Sequence, residues 1–225
     1  MGVASLARFY SFMSFGPMAQ SNSDSHNGSE RHATLRPTVN KGKSMSQRAI
    51  IVVDLQNEYL PTGKLPLVGL DKALANAARI IAAARAKGEL LIHVRHEMAK
   101  PDAPIFTPGS DGVQIIPAVA PAPGETVIVK NYPNAFRATD LKPMLDKQEV
   151  TQVVVIGAMS HMCIEATSRA AADFGYGVSV VHDACATRDL EFAGTQVPAA
   201  QVHAASMAAL AFSYATLIDS DAFLA

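Results

Sequence analysis

The chain has 225 residues, 49% of them apolar and 17% charged, which suits one core-forming domain with or without a tail. A net charge of −1, 6% aromatics and no Trp argue against nucleic acid, an anionic membrane or a single-strand stacking surface as partners. Two cysteines, Cys163 and Cys185, form no disulfide framework and point to a reducing, cytoplasmic setting, and no apolar run reaches the roughly 18 residues of a membrane span.

Residues 1–47 differ from the rest. They read as a disordered N-terminal extension, with Ser, Asn, His, Gly and Pro in excess over Gln20 to Lys43 and no periodic apolar pattern after Met18. Two origins stay open: a weak targeting segment, or an overrun of the start site with Met45 as the true first residue. The working domain spans 48–225 on either reading.

From Ala49 strands and helices alternate. Ala49–Val53 is a continuous apolar run of the kind covered on both faces, and it ends at Asp54. Asp71 stands at the N-cap position of a helix whose Leu74, Ala78, Ile81 and Ala84 share a face, and Gly88 ends it. Leu90–Val94 is a second strand. The Pro/Gly-rich stretch from His96 to Gly124 is too long for a bare connection and reads as a functional loop. Thr126–Val129 is a third strand ending at Lys130, and Thr139 caps a short helix. Gln152–Ile156 is a fourth strand, followed by a glycine turn and a helix over Cys163–Phe174. Val178–Val181 is a fifth strand, Ala199 to Phe212 a helix with Val202, Met207 and Leu210 inward, and Ala215–Ile218 a sixth strand. This pattern predicts an α/β fold, a parallel sheet with helices on both faces.

In such sheets ligands bind beyond the carboxyl ends of the strands. Asp54, Lys130 and Cys163 each lie at or just past such an end. A thiol, a carboxylate and an amine meeting at one edge make a nucleophile with its own proton acceptor, the amine keeping both anions in place. A cysteine at a helix N-terminus also has its thiolate favoured by the unpaired N–H groups. Singly, Asp54 also fits a turn cap, Lys130 a solvated strand end and Cys163 a structural buried thiol. The three at equivalent strand ends fit a site.

Val53-Asp54-Leu55-Gln56-Asn57, Phe106-Thr107-Pro108-Gly109-Ser110, Lys130 with Phe136 and Thr139, Gly157 through Cys163, and Asp183-Ala184 together resemble the isochorismatase-like cysteine hydrolases, from about Arg48 to the C-terminus. The resemblance implies a three-layer α/β/α fold, strand order 3-2-1-4-5-6, and a catalytic triad of Asp54, Lys130 and Cys163. It further implies a cis peptide between Ala158 and Met159 and an oxyanion hole from the backbone N–H groups of Met159 and Cys163. With that order Lys130, from the third strand, has to reach across the sheet.

Within the family, nicotinamidases carry an Asp and two His as a metal site. Here His93 and His96 have no Asp-x-His companion, so no metal and no other cofactor is expected, with His93 packed in its strand and His96 near the pocket mouth. The isochorismate-cleaving members break a vinyl ether without needing a cysteine, whereas Cys163 favours C–N hydrolysis. His161, on a turn two residues from Cys163, does not suit a Cys-His dyad, and Asp183 and Cys185 read as structural or wall residues. Tyr59, Phe106, Tyr132, Phe136 and Met162 flank the motifs and are candidate pocket walls, with Arg95 or Arg137 as anion contacts. The expected activity is metal-independent hydrolysis of a small amide or ureide, by a homo-oligomer. Vinyl ether hydrolysis and a catalytically silent binding or assembly role are the alternatives.

Overall fold

The computed structural model describes residues 47–225; the expectations for the N-terminal extension lie outside them. The first strand, β1, is Gln47–Val53, followed by helix α1 at Leu70–Lys87 and strand β2 at Leu90–His96. Strand β3 is Thr126–Lys130, helix α2 Leu141–Lys147 and strand β4 Val150–Ala158. A five-residue π turn, Ser160–Ile164, leads into α3 at Glu165–Asp173, and β5 is Gly177–Ala186. A hairpin of β6 (Leu190–Phe192) and β7 (Thr195–Val197) precedes α4 at Ala199–Ser213, β8 at Thr216–Ile218 and α5 at Ser220–Leu224.

Six strands form one sheet in the order β3-β2-β1-β4-β5-β8, every pairing parallel. This is the expected order; the sixth sheet strand is eighth in the chain because the hairpin intervenes. Alternate residues of the central strands feed two cores, as the period of two demands. Ile50, Val52, Val154 and Ile156 pack with α1 and with Phe223 of α5. Ile51, Val53, Val153 and Val155 pack with Leu141 and Leu145 of α2, Ala171 of α3 and Leu210 of α4. Each fully buried aliphatic side chain contributes about 1.5–3 kcal/mol, so β1, buried on both faces, is the energetic centre.

Several local expectations are corrected. Gly69, in the left-handed region, precedes α1 and Asp71 falls in its first turn; Gly88 does end the helix, its N–H bonding to Ala84 and Arg85 carbonyls. Asp140 rather than Thr139 stands at the head of α2, and the Thr139 hydroxyl donates to Ala135 O at 2.5 Å. The segment beginning at Cys163 is not regular α-helix at first: the π turn occupies its first residues. β5 runs on past His182, because its register with β4 shifts and Cys185 and Ala186 pair with Gly157 and Ala158.

Gly157 lets β1 and β4 approach at the sheet's carboxyl edge. It has φ +128°, and a Cβ there would stand 1.9 Å from Val53 O, a backbone atom that cannot move aside. Gly157→Ala is expected to cost about 3 kcal/mol in urea denaturation. A loss below 1 kcal/mol, the scale of an ordinary helix glycine, would mean the strands part freely here.

Candidate active site

Asp54 is the first residue past β1 and is wholly buried. Its φ of 54° lies in the left-handed region, which Asp tolerates better than most residues, while its N–H still bonds to Val94 O at 2.8 Å. Lys130 ends the edge strand β3, two strands from β1, yet it is also wholly buried. Its long stem carries the ammonium to Asp54 Oδ2 at 2.6 Å. The same nitrogen donates to Cys163 Sγ at 3.1 Å and meets His96 Nδ1 at 3.2 Å. The three strand-end residues therefore converge. Cys163 sits on the π turn with 6% of its surface exposed. The Ala158–Met159 peptide ahead of it is cis, and Met159 O accepts from the N–H groups of Met162 and Ile164.

The electrostatics differ from the helix-terminus expectation. Burial pushes the Cys163 thiol well above its usual range, the Asp54 charge pushes it further, and Lys130 opposes both. At rest the sulfur holds its proton. Burial alone would favour loss of charge at Lys130, but the Asp54 carboxylate and the hydrogen bond to Cys163 Sγ outweigh it and the ammonium persists. His96 is lowered to about 4, by burial first and by Lys130 second, against Asp54. Neither Asp54 oxygen has a hydrogen bond of regular geometry among the described residues: Oδ2 is held by the ion pair with Lys130, and Oδ1 is buried with its acceptor capacity unused.

Gln56, quoted above only within the Val53–Asn57 motif and given no role, and Glu58, not singled out, both organise the site. Gln56 Oε1 accepts from His96 N at 2.8 Å, while its Nε2 donates to His96 O and Val113 O at 2.9 Å each. Glu58 Oε1 accepts from Phe106 N at 3.0 Å. These bonds fold the long loop onto the strand ends. Phe106 then lies edge-on to both Tyr59 and His96, at 5.3 and 5.2 Å between ring centres. The sequence signal for them was the Val53–Asn57 motif, which contains Gln56 and which Glu58 directly follows.

The remaining candidates divide by position. Tyr59 is buried, and its hydroxyl is raised well above its usual range by burial and then by Asp54 and Cys163, so it adjoins the cluster. Met162 is exposed on the π turn, and Tyr132 is exposed with the Arg137 guanidinium 3.8 Å over its ring. Phe136 is buried in an aromatic group with Phe174 and Tyr176. Arg95 pairs with Glu97 at 2.8 Å. His161 Nδ1 meets Thr187 Oγ1 at 2.6 Å rather than the thiol. Asp183 is spent on structure, accepting from Asn76 and from Ser220 N and Oγ. Cys185 is buried, its thiol donating to Val181 O. His93 faces Glu125 at 3.0 Å. Among the described residues no group of three or more His, Cys, Asp and Glu is placed to hold a metal ion, and no helix is long and apolar enough to cross a membrane.

Comparison with known proteins agrees with this fold. The chain is 46% identical over 176 residues to the uncharacterized isochorismatase family protein YddQ of Bacillus subtilis, covering 78% of this chain and 98% of that one. It is 31% identical over 154 residues to maleamate amidohydrolase of Pseudomonas putida, covering 62% and 72%. The crystal structure of an isochorismatase from Pseudomonas putida superposes with a TM-score of 0.74 at 41% identity, covering 79% and 90%. That of N-carbamoylsarcosine amidase from Thermoplasma acidophilum gives 0.67 at 26%, covering 78% and 97%. Residues 48–222 match the Isochorismatase domain, and the chain belongs to the isochorismatase family of hydrolases.

Proposed function

We propose that the protein hydrolyses a C–N bond of a small amide, ureide or carbamoyl compound through Cys163. The observation that carries this reading is the buried Lys130 ammonium shared by Asp54 Oδ2 at 2.6 Å and Cys163 Sγ at 3.1 Å. Maleamate amidohydrolase and N-carbamoylsarcosine amidase, both similar to this chain, carry C–N hydrolysis in their names.

In the proposed reaction the Cys163 proton passes to Asp54 as the sulfur attacks the substrate carbonyl carbon. This transfer turns carboxylate and thiol into carboxylic acid and thiolate beside the same cation. The cluster's net charge is unchanged, which is how a thiol with a raised pKa still serves as a nucleophile. The carbonyl oxygen, now negative, is held by the backbone N–H groups of Met159 and Cys163. Collapse breaks the C–N bond, and the amine leaves with the proton from Asp54. Water then gives a proton back to Asp54 while its oxygen attacks the thioester, releasing the acid and restoring the thiol.

The test is a panel of small primary amides, ureides and carbamoyl compounds, read by released ammonia or amine and by intact mass. Turnover with an acyl adduct on Cys163 is the expected result. Amide hydrolysis that survives Cys163→Ala would sink the nucleophile assignment. Cleavage of a vinyl ether with no amide turnover would favour ether hydrolysis, and inactivity on both would favour a silent binding role.

A further inference from the structure

We infer that His96 is a positioning residue for this cluster: as a neutral acceptor it takes the third proton of the Lys130 ammonium and thereby fixes where the other two point. The inference rests on Cys163 being the reactive thiol and goes beyond the triad.

An ammonium has three protons and no lone pair, so a buried one needs three acceptors. Lys130 Nζ has three such groups around it: Asp54 Oδ2 in an ion pair at 2.6 Å, and Cys163 Sγ at 3.1 Å and His96 Nδ1 at 3.2 Å as hydrogen-bond partners. Because Lys130 only donates, His96 Nδ1 must present its lone pair, and the ring proton belongs on Nε2. That nitrogen faces Met98 Sδ at 3.5 Å, a weak acceptor suited to it. The ring is not free to drift. The buried Gln56 amide grips both the N–H and the carbonyl of His96, and Phe106 meets the ring edge-on at 5.2 Å.

The charges around the ring explain why it stays neutral. Burial and Lys130 from β3 both disfavour the imidazolium, and together they outweigh Asp54, just past β1, which favours it. Cys163 from the π turn holds its proton, and Arg95 and Glu97, the neighbours of His96 along the chain, are paired with each other at 2.8 Å. Without His96 one N–H of a buried cation has no acceptor, the charged form of Lys130 is destabilised, and the thiolate loses its counter-ion. His96 touches neither sulfur nor carboxylate in the hydrogen-bond geometry, so its effect passes through Lys130.

Two variants separate acceptor from packing. His96→Phe keeps a ring of similar size without an acceptor, and His96→Asn places an oxygen near the position of Nδ1. The full-length proteins are treated with iodoacetamide near pH 8, Cys163 alkylation is followed by mass spectrometry, and folding is checked by circular dichroism. His96→Phe is expected to react about tenfold more slowly than the parent, and His96→Asn within about threefold of it. Nitrogen NMR of the parent is expected to show a neutral Nε2–H imidazole at pH 7. The inference is overturned by a His96→Phe rate within threefold of the parent, by His96→Asn as slow as His96→Phe, or by an imidazolium or an Nδ1–H tautomer. If His96→Phe fails to fold, the Asn variant and the parent tautomer still decide. Alkylation needs no substrate, so a failed amide screen would count against the proposed reaction without touching this result.

Discussion

Lys130→Met is expected to lower the unfolding free energy by about 3–5 kcal/mol and to abolish turnover, because it leaves the Asp54 carboxylate buried without its cation. Both partners are wholly buried, so water cannot screen the loss. Pairing Lys130→Met with Asp54→Leu removes both charges and should recover most of the stability while leaving the protein inactive. Urea denaturation of the two variants at pH 7 checks this. A Lys130→Met loss under about 1 kcal/mol, the scale of an exposed pair, would mean that water reaches the ion pair.

Asp54→Asn is expected to separate two properties that usually travel together. Turnover should fall by about 10²–10⁴, because the proton acceptor for the thiol and donor to the leaving amine is gone. Alkylation of Cys163 by a small reagent at pH 7 should instead become faster. The thiol is raised by burial and then by the Asp54 charge, with Lys130 opposing, so removing the carboxylate leaves the cation unopposed and shifts the thiol downward. Its alkylation profile should move to lower pH. Slower alkylation in the Asn variant, with the fold intact, would show that Asp54 does more to generate thiolate than to suppress it.

The sheet was legible in the sequence because β1, β2, β4 and β5 are apolar runs bounded by polar or glycine residues, and burial on both faces leaves that trace. The β6–β7 hairpin was not, since Leu190–Phe192 and Thr195–Val197 are short and Phe192 is exposed, so packing imposes no alternation. The terminal helix α5 escaped for its brevity: five residues hold too little period to read. The positions of Asp54, Lys130 and Cys163 at strand ends could be read because strand ends share an edge. The sign of the Cys163 shift could not. A helix N-terminus is visible as a pattern, whereas the burial that overrides it comes from tertiary packing, Cys163 lying in a core cluster with residues as distant in the chain as Val53, Ile128 and Met207. His96 looked like a residue at a pocket mouth; its partner Lys130 lies 34 positions away, and only the β2–β3 register brings them level.

The placement of Lys130 on β3 has a mechanical consequence. Among the described residues β3 has one neighbour, and its Val127 and Val129 are exposed, so it is the kind of strand that frays first. Its last residue, however, is tethered across β2 to the centre of the sheet by the bond to Asp54. Amide hydrogen exchange along β3 should therefore be graded, quick at Thr126 and slow at Lys130. Fraying that reached Lys130 would withdraw the charge from Cys163, so the endurance of an edge strand and the readiness of the thiol are set by one bond.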